Sequence, residues 1–260
     1  LGDKFFGHTG RVGVFEWDGG SWTQMGEDFV GETGLDGFGG IVSLSSDGTR
    51  IAIRSSPANN GYMGQVQVYE WDGGSWTQMG ADIEGEVAWE CFGCGVSLSS
   101  DGTKVAIGVP GNDGNGNNTG QVQVYEWDGG IWEQVGVDID GEVEDGGLGS
   151  FVSLSSDGTK VAIGGTAGSH SAPLVGLVQV YERDDGSSMR MGEDIVGEAE
   201  GDRSGRSVSL SSDGTRVAIG ASRNDGNGTD AGHVRVYEWD GGSWTQVGVD
   251  IDGEAEGDRS

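Results

Sequence analysis

Residues 153–159 read SLSSDGT, and the same seven letters stand at 43–49, 97–103 and 209–215, at spacings of 54, 56 and 56 residues. A second block, VYEWDGGSW at 68–76, returns as VFEWDGGSW at 14–22, VYEWDGGIW at 124–132, VYERDDGSS at 180–188 and VYEWDGGSW at 236–244. Self-similarity at a fixed period is the mark of a repeat architecture. Within one period, residues 150–195, alternating apolar residues give strand A as SFVSLSS, strand B as TKVAIGG and strand C as LVQVYER. Strand D is weak in this copy and clear as SWTQVGVDI at 243–251. Asp157-Gly158 tolerates the positive φ of a tight turn between A and B, and no stretch carries a helical period. Four short antiparallel strands per unit predict an all-β chain of β-propeller blades.

The units divide the chain into a partial blade over 1–31, blades at about 32–86, 87–142, 143–198 and 199–254, and the start of a further linker at 255–260. Four complete blades and about half of another would leave strand edges uncovered, which native folds avoid. The expectation is a propeller segment, with further repeats of the same chain or an assembly completing a ring of at least five blades. Leu1 in place of a methionine agrees with a processed product or an excerpt.

Trp71 and Trp76 flank a four-residue turn, so they should oppose each other across the C–D hairpin, as should Trp127 with Trp132 and Trp239 with Trp244. In the fourth occurrence both positions change together, to Arg183 and Ser188, as a contacting pair would. We read these rings as structural staples ahead of sugar-stacking platforms.

Fourteen Lys and Arg against 43 Asp and Glu give a formal charge of −29, which disfavours nucleic-acid and anionic-membrane partners and leaves basic partners and divalent cations open. No apolar run is long enough to insert in a membrane. Cys91 and Cys94 form a lone CxxC. Zinc would need four ligands and a redox motif would open a helix, so free thiols or a local disulfide remain.

Phe38-Gly39, Phe92-Gly93, Leu148-Gly149 and Ser204-Gly205 precede strand A, and the segments Ile107-Gly108-Val109-Pro110 and Ile219-Gly220-Ala221-Ser222 come after strand B. These elements resemble the FG-GAP repeats of integrin α-subunit propellers and their microbial relatives. The resemblance implies a seven-bladed ring and a calcium loop of the form DxNxDGxxD between strands A and B. Here that loop is only Ser45-Ser46-Asp47-Gly48-Thr49 and its copies. One carboxylate cannot supply the six to eight oxygens calcium takes, so the family's metal sites are not carried over.

In such a blade the A–B and C–D turns share one face of the disc, while the B–C loops and D–A linkers share the other. The second face therefore collects GNDGNGNNTG at 111–120 and ASRNDGNGTDAG at 221–232 beside acidic linkers carrying Glu142, Glu144, Asp145, Glu198, Glu200 and Asp202. Asp113 with Asn115, and Asp225 with Asp230, begin like calcium loops but lack the later glutamate, which allows a weak calcium site and no other cofactor. Asn117-Asn118-Thr119 and Asn227-Gly228-Thr229 are N-glycosylation acceptors. His8, His170 and His233 occupy unrelated positions and read as loop or surface residues.

Near-identical blades, no catalytic constellation and diverse loops on one acidic face predict a non-catalytic extracellular or cell-surface propeller that contacts protein or glycan partners. A lectin-like propeller is the alternative, disfavoured by the dissimilar linkers, and a glycoside hydrolase with paired carboxylates is the more distant one.

Overall fold

A computed structural model describes residues 9–32, 36–56, 61, 63–165, 175–184 and 186–259. Among them every regular element is a β-strand, and four successive sheets carry the same antiparallel order A-B-C-D. In the second whole blade strand A is Gly95–Leu98, B is Lys104–Val109 and C is Gln121–Trp127. The other three blades repeat this pattern with their B strands at Arg50–Ser55, Lys160–Gly165 and Arg216–Ala221. Before them, Phe15–Trp17 pairs with Trp22–Gln24 as a C–D hairpin.

Strand D departs from the single strand expected. It is broken into Trp132–Gln134 and Ile139–Asp140, both paired with strand C, and the last blade breaks likewise into Trp244–Gln246 and Ile251–Asp252. The cause is an outward jog. In the first whole blade Tyr69 opposes Gln78 and Val66 opposes Ile83, so two residues of strand C face four of strand D, a widened bulge. Met79 turns into the core from this jog, and Gly80 follows it at φ +72°.

The core lies between blades rather than inside them. Val66, Val68, Met79 and Ile83 of one blade pack with Phe92, Val105 and Ile107 of the next, and Ala106, Val122 and Val124 pack with Leu154, Val161 and Ile163 of the blade after that. Strand alternation explains the assignment: in KVAIG the Val and Ile face the preceding blade, while the intervening Ala faces the following one. Ile53, Ile107 and Ile163 are wholly buried by this stacking.

The serines of SLSSDGT tie the blades together along their strands A. Ser46, Ser100 and Ser156 each donate a backbone N–H to the carbonyl of Ser100, Ser156 and Ser212 in the next blade, at 2.9 Å. The N–H groups of Leu98, Leu154 and Leu210 donate to Oγ of Ser43, Ser97 and Ser153 in the preceding blade. One edge of each strand A is thereby satisfied by its neighbour, which removes an open template for aggregation.

The aspartate of the same turn is fully engaged. Asp157 Oδ1 accepts from Ser155 Oγ, the Thr159 N–H and Thr159 Oγ1, and Asp213 repeats the pattern with Ser211 and Thr215. Burial raises the Asp157 pKa, but the three donors and Lys160 outweigh it and bring it to about 2; at Asp213 the Ser211 and Thr215 donors alone bring it to about 2. A carboxylate depressed on folding contributes stability that is complete above its unfolded pKa and is lost as pH falls through the folded one. Thermal stability should therefore fall between pH 3.8 and about 2. Circular dichroism melts across that range would check it, and Asp157→Asn together with Asp213→Asn should make the fall shallower.

Candidate functional site

Among the described residues of the B–C face, loops 110–120 and 221–232 are hydrogen-bonded to the linkers beside them. Loop 110–120 is fastened on two sides. Toward the linker entering its own blade, the Gly111 N–H donates to the Glu90 carbonyl at 2.9 Å, and Asn112 Nδ2 to Glu90 Oε2 at 3.3 Å. Toward the linker leaving the blade, Asp145 and Gly147 donate N–H to the carbonyls of Asn117 and Asn118 at 2.8 and 2.9 Å. The loop of the last blade is held the same way, with Arg223 donating to the Asp202 carbonyl and Gly257 to that of Thr229. Such a surface loses little conformational entropy when a partner binds.

The ligand-like residues serve this scaffold. Asp113 Oδ1 accepts the Asn118 N–H at 2.7 Å, and Asp225 Oδ1 accepts the Asp230 N–H at 2.8 Å. Asn115 Nδ2 donates to the Gly141 carbonyl and, at the same place two blades on, Asn227 Nδ2 donates to that of Gly253. Asp230 Oδ2 accepts from Arg259 at 3.3 Å. Asp113 and Asn115 thus lie on a different blade from Asp225 and Asp230; the three aspartates each accept from a protein donor, and Asn115 donates to a linker carbonyl.

The two sequon asparagines are not equivalent. Asn117 stands two residues beyond the position that Asn227 fills, is exposed, and donates Nδ2 to Asp145 Oδ1 at 2.8 Å. Asn227 spends its amide on the link between loop and linker.

Histidine placement differs from expectation. His8 and His170 lie outside the described residues, and His233 is a core residue, 3% exposed at the start of strand C. Its Nδ1 stands 3.7 Å from Asp250 Oδ2, beside Glu198. These three are the one group of metal-capable atoms among the described residues, within 4.8 Å of one another. Arg235 lies among them and pairs with both carboxylates, at 2.6 Å with Asp250, so a resident cation already offsets one of their two charges. Asp202, read from sequence as a rim carboxylate, is also buried and accepts from Asn224 Nδ2 at 2.9 Å.

Cys91 and Cys94 are joined in a disulfide within the linker that enters the second whole blade. The same linker holds Trp89, 77% exposed and at φ +71°. The corresponding places of later linkers carry Asp145, Gly201 and Gly257, also at positive φ. A positive φ suits glycine or aspartate, and a bulky aromatic there is an outlier. Sequence reading passed over Trp89 because it belongs to none of the repeated Trp pairs.

Those pairs act between blades. Trp71–Trp76, Trp127–Trp132 and Trp239–Trp244 face each other across their hairpins with ring centroids 5.3–5.4 Å apart. The indole Nε1–H of Trp76, Trp132 and Trp244 donates to the carbonyl of Met25, Met79 and Met191 in the preceding blade, at 2.7, 2.9 and 2.8 Å. Where the pair is lost, the Arg183 guanidinium donates to the Val135 carbonyl at the same jog.

Residues 197–237 match the model of the FG-GAP repeat family. No curated protein matches the sequence. Among solved structures, the chain is similar to the tricorn protease at 12% identity, covering 93% of this chain and 26% of that one with a TM-score of 0.51. It is also similar to the β-propeller domain of the trilobed protease from Pyrococcus furiosus at 10% identity, covering 92% of this chain and 62% of that one with a TM-score of 0.50. At such identities the likeness shows the fold, a β-propeller. No helix among the described residues is long and apolar enough to cross a membrane.

Proposed function

We propose that the chain is a non-catalytic, extracellular β-propeller that contacts a protein or glycan partner through its B–C and D–A face. Trp89 carries this reading. An indole 77% exposed, at a backbone angle that favours glycine and beside a disulfide, carries the kind of backbone strain that clusters at binding sites. A flat exposed aromatic flanked by acidic loops suits a sugar ring or a basic side chain, and aromatic anchors dominate binding energy at interfaces. A disulfide and two exposed-loop sequons agree with an oxidising, secretory setting.

The direct test is binding of the native chain and of Trp89→Ala to a glycan array and to immobilised extracellular proteins. Trp89→Ala should keep the native melting temperature and lose the hits. Hits unchanged by the substitution would remove Trp89 from the contact. Turnover of a chromogenic glycoside, abolished by changing one carboxylate, would replace the binding reading with a hydrolytic one.

For the sequons we expect a glycan at Asn117, where modification gives up only an exposed contact to Asp145. Intact mass of the secreted protein before and after glycosidase treatment should shift, and Asn117→Gln should abolish the shift.

A further inference from the structure

Three departures from the repeat meet at the junction of the first and second whole blades. Strand B carries Gly108, Gly164 and Gly220 at one place in three blades, and Arg54 at that place in the first. A Cβ on Gly108 or Gly164 would stand 1.9 or 2.1 Å from the carbonyl oxygen of Gly149 or Gly205 in the following blade, so the ordinary junction has no room for a side chain there. Arg54 carries a whole side chain into it, toward the linker that enters the second blade. That linker holds the other two departures: Cys91 stands where Gly37 and Gly147 stand, and Cys94 where Gly40 and Ser150 stand. Arg54 Nη2 lies 3.9 Å from Cys91 Sγ. An arginine introduced by one blade thus meets a disulfide introduced by the next.

The arginine is out of balance where it sits. Among the described residues it forms no ion pair, although the chain has 43 Asp and Glu, and Arg50 of the same strand pairs with Glu70 at 2.6 Å. Its Nε is buried without a hydrogen-bond partner. Burial pulls its pKa below the ordinary value, and no anion opposes that pull. Glu90, next to Cys91 in the chain, has its carboxylate turned to Asn112 Nδ2 at 3.3 Å. Both cysteines are half-buried, within reach of a small reagent, and Cys91 is held at φ +65°, a left-handed backbone that cysteine disfavours. An intact disulfide is neutral and gains nothing from a guanidinium, whereas a thiolate beside one is strongly stabilised.

We propose that Cys91–Cys94 is a thiol–disulfide exchange site whose substrate is a dithiol, with Cys91 as the leaving thiolate and Arg54 as its counter-ion. The thiolate of the dithiol attacks Cys94 Sγ, the S–S bond breaks, and its electron pair goes to Cys91 Sγ beside the guanidinium. The second thiol of the reagent then attacks the reagent's own sulfur in the mixed disulfide, closing a disulfide within the reagent, and its proton passes to the Cys94 thiolate that leaves. The cysteine pair gains two electrons and the dithiol loses them. A cation beside the leaving sulfur speeds the first step and stabilises the reduced pair. A helix N-terminus is the usual source of that charge in a CxxC; here Arg54 supplies it from the neighbouring blade. One dithiol is consumed per chain, so the site adds no turnover to the non-catalytic reading. It makes no use of the Trp89 contact, so either can fail while the other stands.

The test begins with a non-reducing peptide map of the native chain, which should show the Cys91–Cys94 link. Brief treatment with glutathione followed by alkylation should place the glutathione adduct on Cys94 and the alkyl group on Cys91. After full reduction with dithiothreitol, the pH profile of alkylation should put the Cys91 thiolate midpoint about one unit or more below the ordinary thiol value of about 8.5. Arg54→Met keeps the apolar stem and removes the charge. It should return the midpoint toward the ordinary value, slow reduction by dithiothreitol about threefold or more at neutral pH, and lose the preference for Cys94. A native chain without the link overturns the proposal, as does a variant with the native midpoint and rate. If Arg54→Met does not fold, the native chain decides: an adduct found on Cys91, or a midpoint at or above the ordinary value, overturns the proposal.

Discussion

Replacing Gly120 with alanine should destabilise the chain by about 3 kcal/mol or more, lowering its melting temperature by on the order of 10 °C. Gly120 opens strand C of the second whole blade at φ +79°, and it forms an isolated parallel bridge to Leu148 at the entrance of the next blade. A Cβ built on it would lie 2.2 Å from the Leu148 carbonyl oxygen and 2.6 Å from its nitrogen. Both are backbone atoms, so no side chain can rotate away and two blades must separate. Gly176 makes the same approach to Ser204 at φ +80°, and Gly64 approaches the Phe92 carbonyl at φ +85°. Gly248→Ala is the control, because Gly248 has φ +76° with nothing within 4 Å of a Cβ. It should cost only the left-handed strain, about 1–2 kcal/mol. Equal losses at the two sites, measured by thermal or urea denaturation, would mean that blade contact at Gly120 contributes nothing.

The repeats made the four-stranded blade and its strand order readable, because period-2 alternation and Asp-Gly turns act within one unit. What lay between units was harder to read. The serines of SLSSDGT look like turn residues, yet Ser43 and Ser97 accept N–H groups from strand A of the following blade, 55 and 57 residues on. The jog in strand D could not be seen either, since Met79-Gly80 carries no turn signal and its purpose is to receive an indole from the next blade. For the loop face, sequence placed Asp113, Asn115, Asp225 and Asp230 on the correct face but could not show that backbone donors and linker carbonyls engage them. Trp89 was missed because repeat reading attends to what recurs, and its place changes from blade to blade. The departure from Asp145, Gly201 and Gly257, which stand at the same place in later linkers, was the available signal.

Trp132→Ala should cost about 3 kcal/mol, the lower end for removing an aromatic ring, because the ring is only half-buried. The substitution does two separable things. It withdraws the indole from the core formed with Val66, Met79 and Ile83, and it leaves the Met79 carbonyl, in a residue 5% exposed, without its 2.9 Å donor. Trp132→Phe keeps most of the ring and loses only the donor, so it should cost about 1 kcal/mol. The blade with Arg183 in place of its first tryptophan provides an internal comparison. There the guanidinium reaches the Val135 carbonyl of the preceding jog from the other strand of the hairpin, so the acceptor stays satisfied although both rings are gone. Arg183→Met, which keeps the apolar stem and removes the donors, should accordingly destabilise by about the same amount as Trp132→Phe. If Trp132→Phe were neutral while Trp132→Ala was not, ring packing alone would hold adjacent blades together. The arginine would then be a filler of space, and Arg183→Met should be neutral as well.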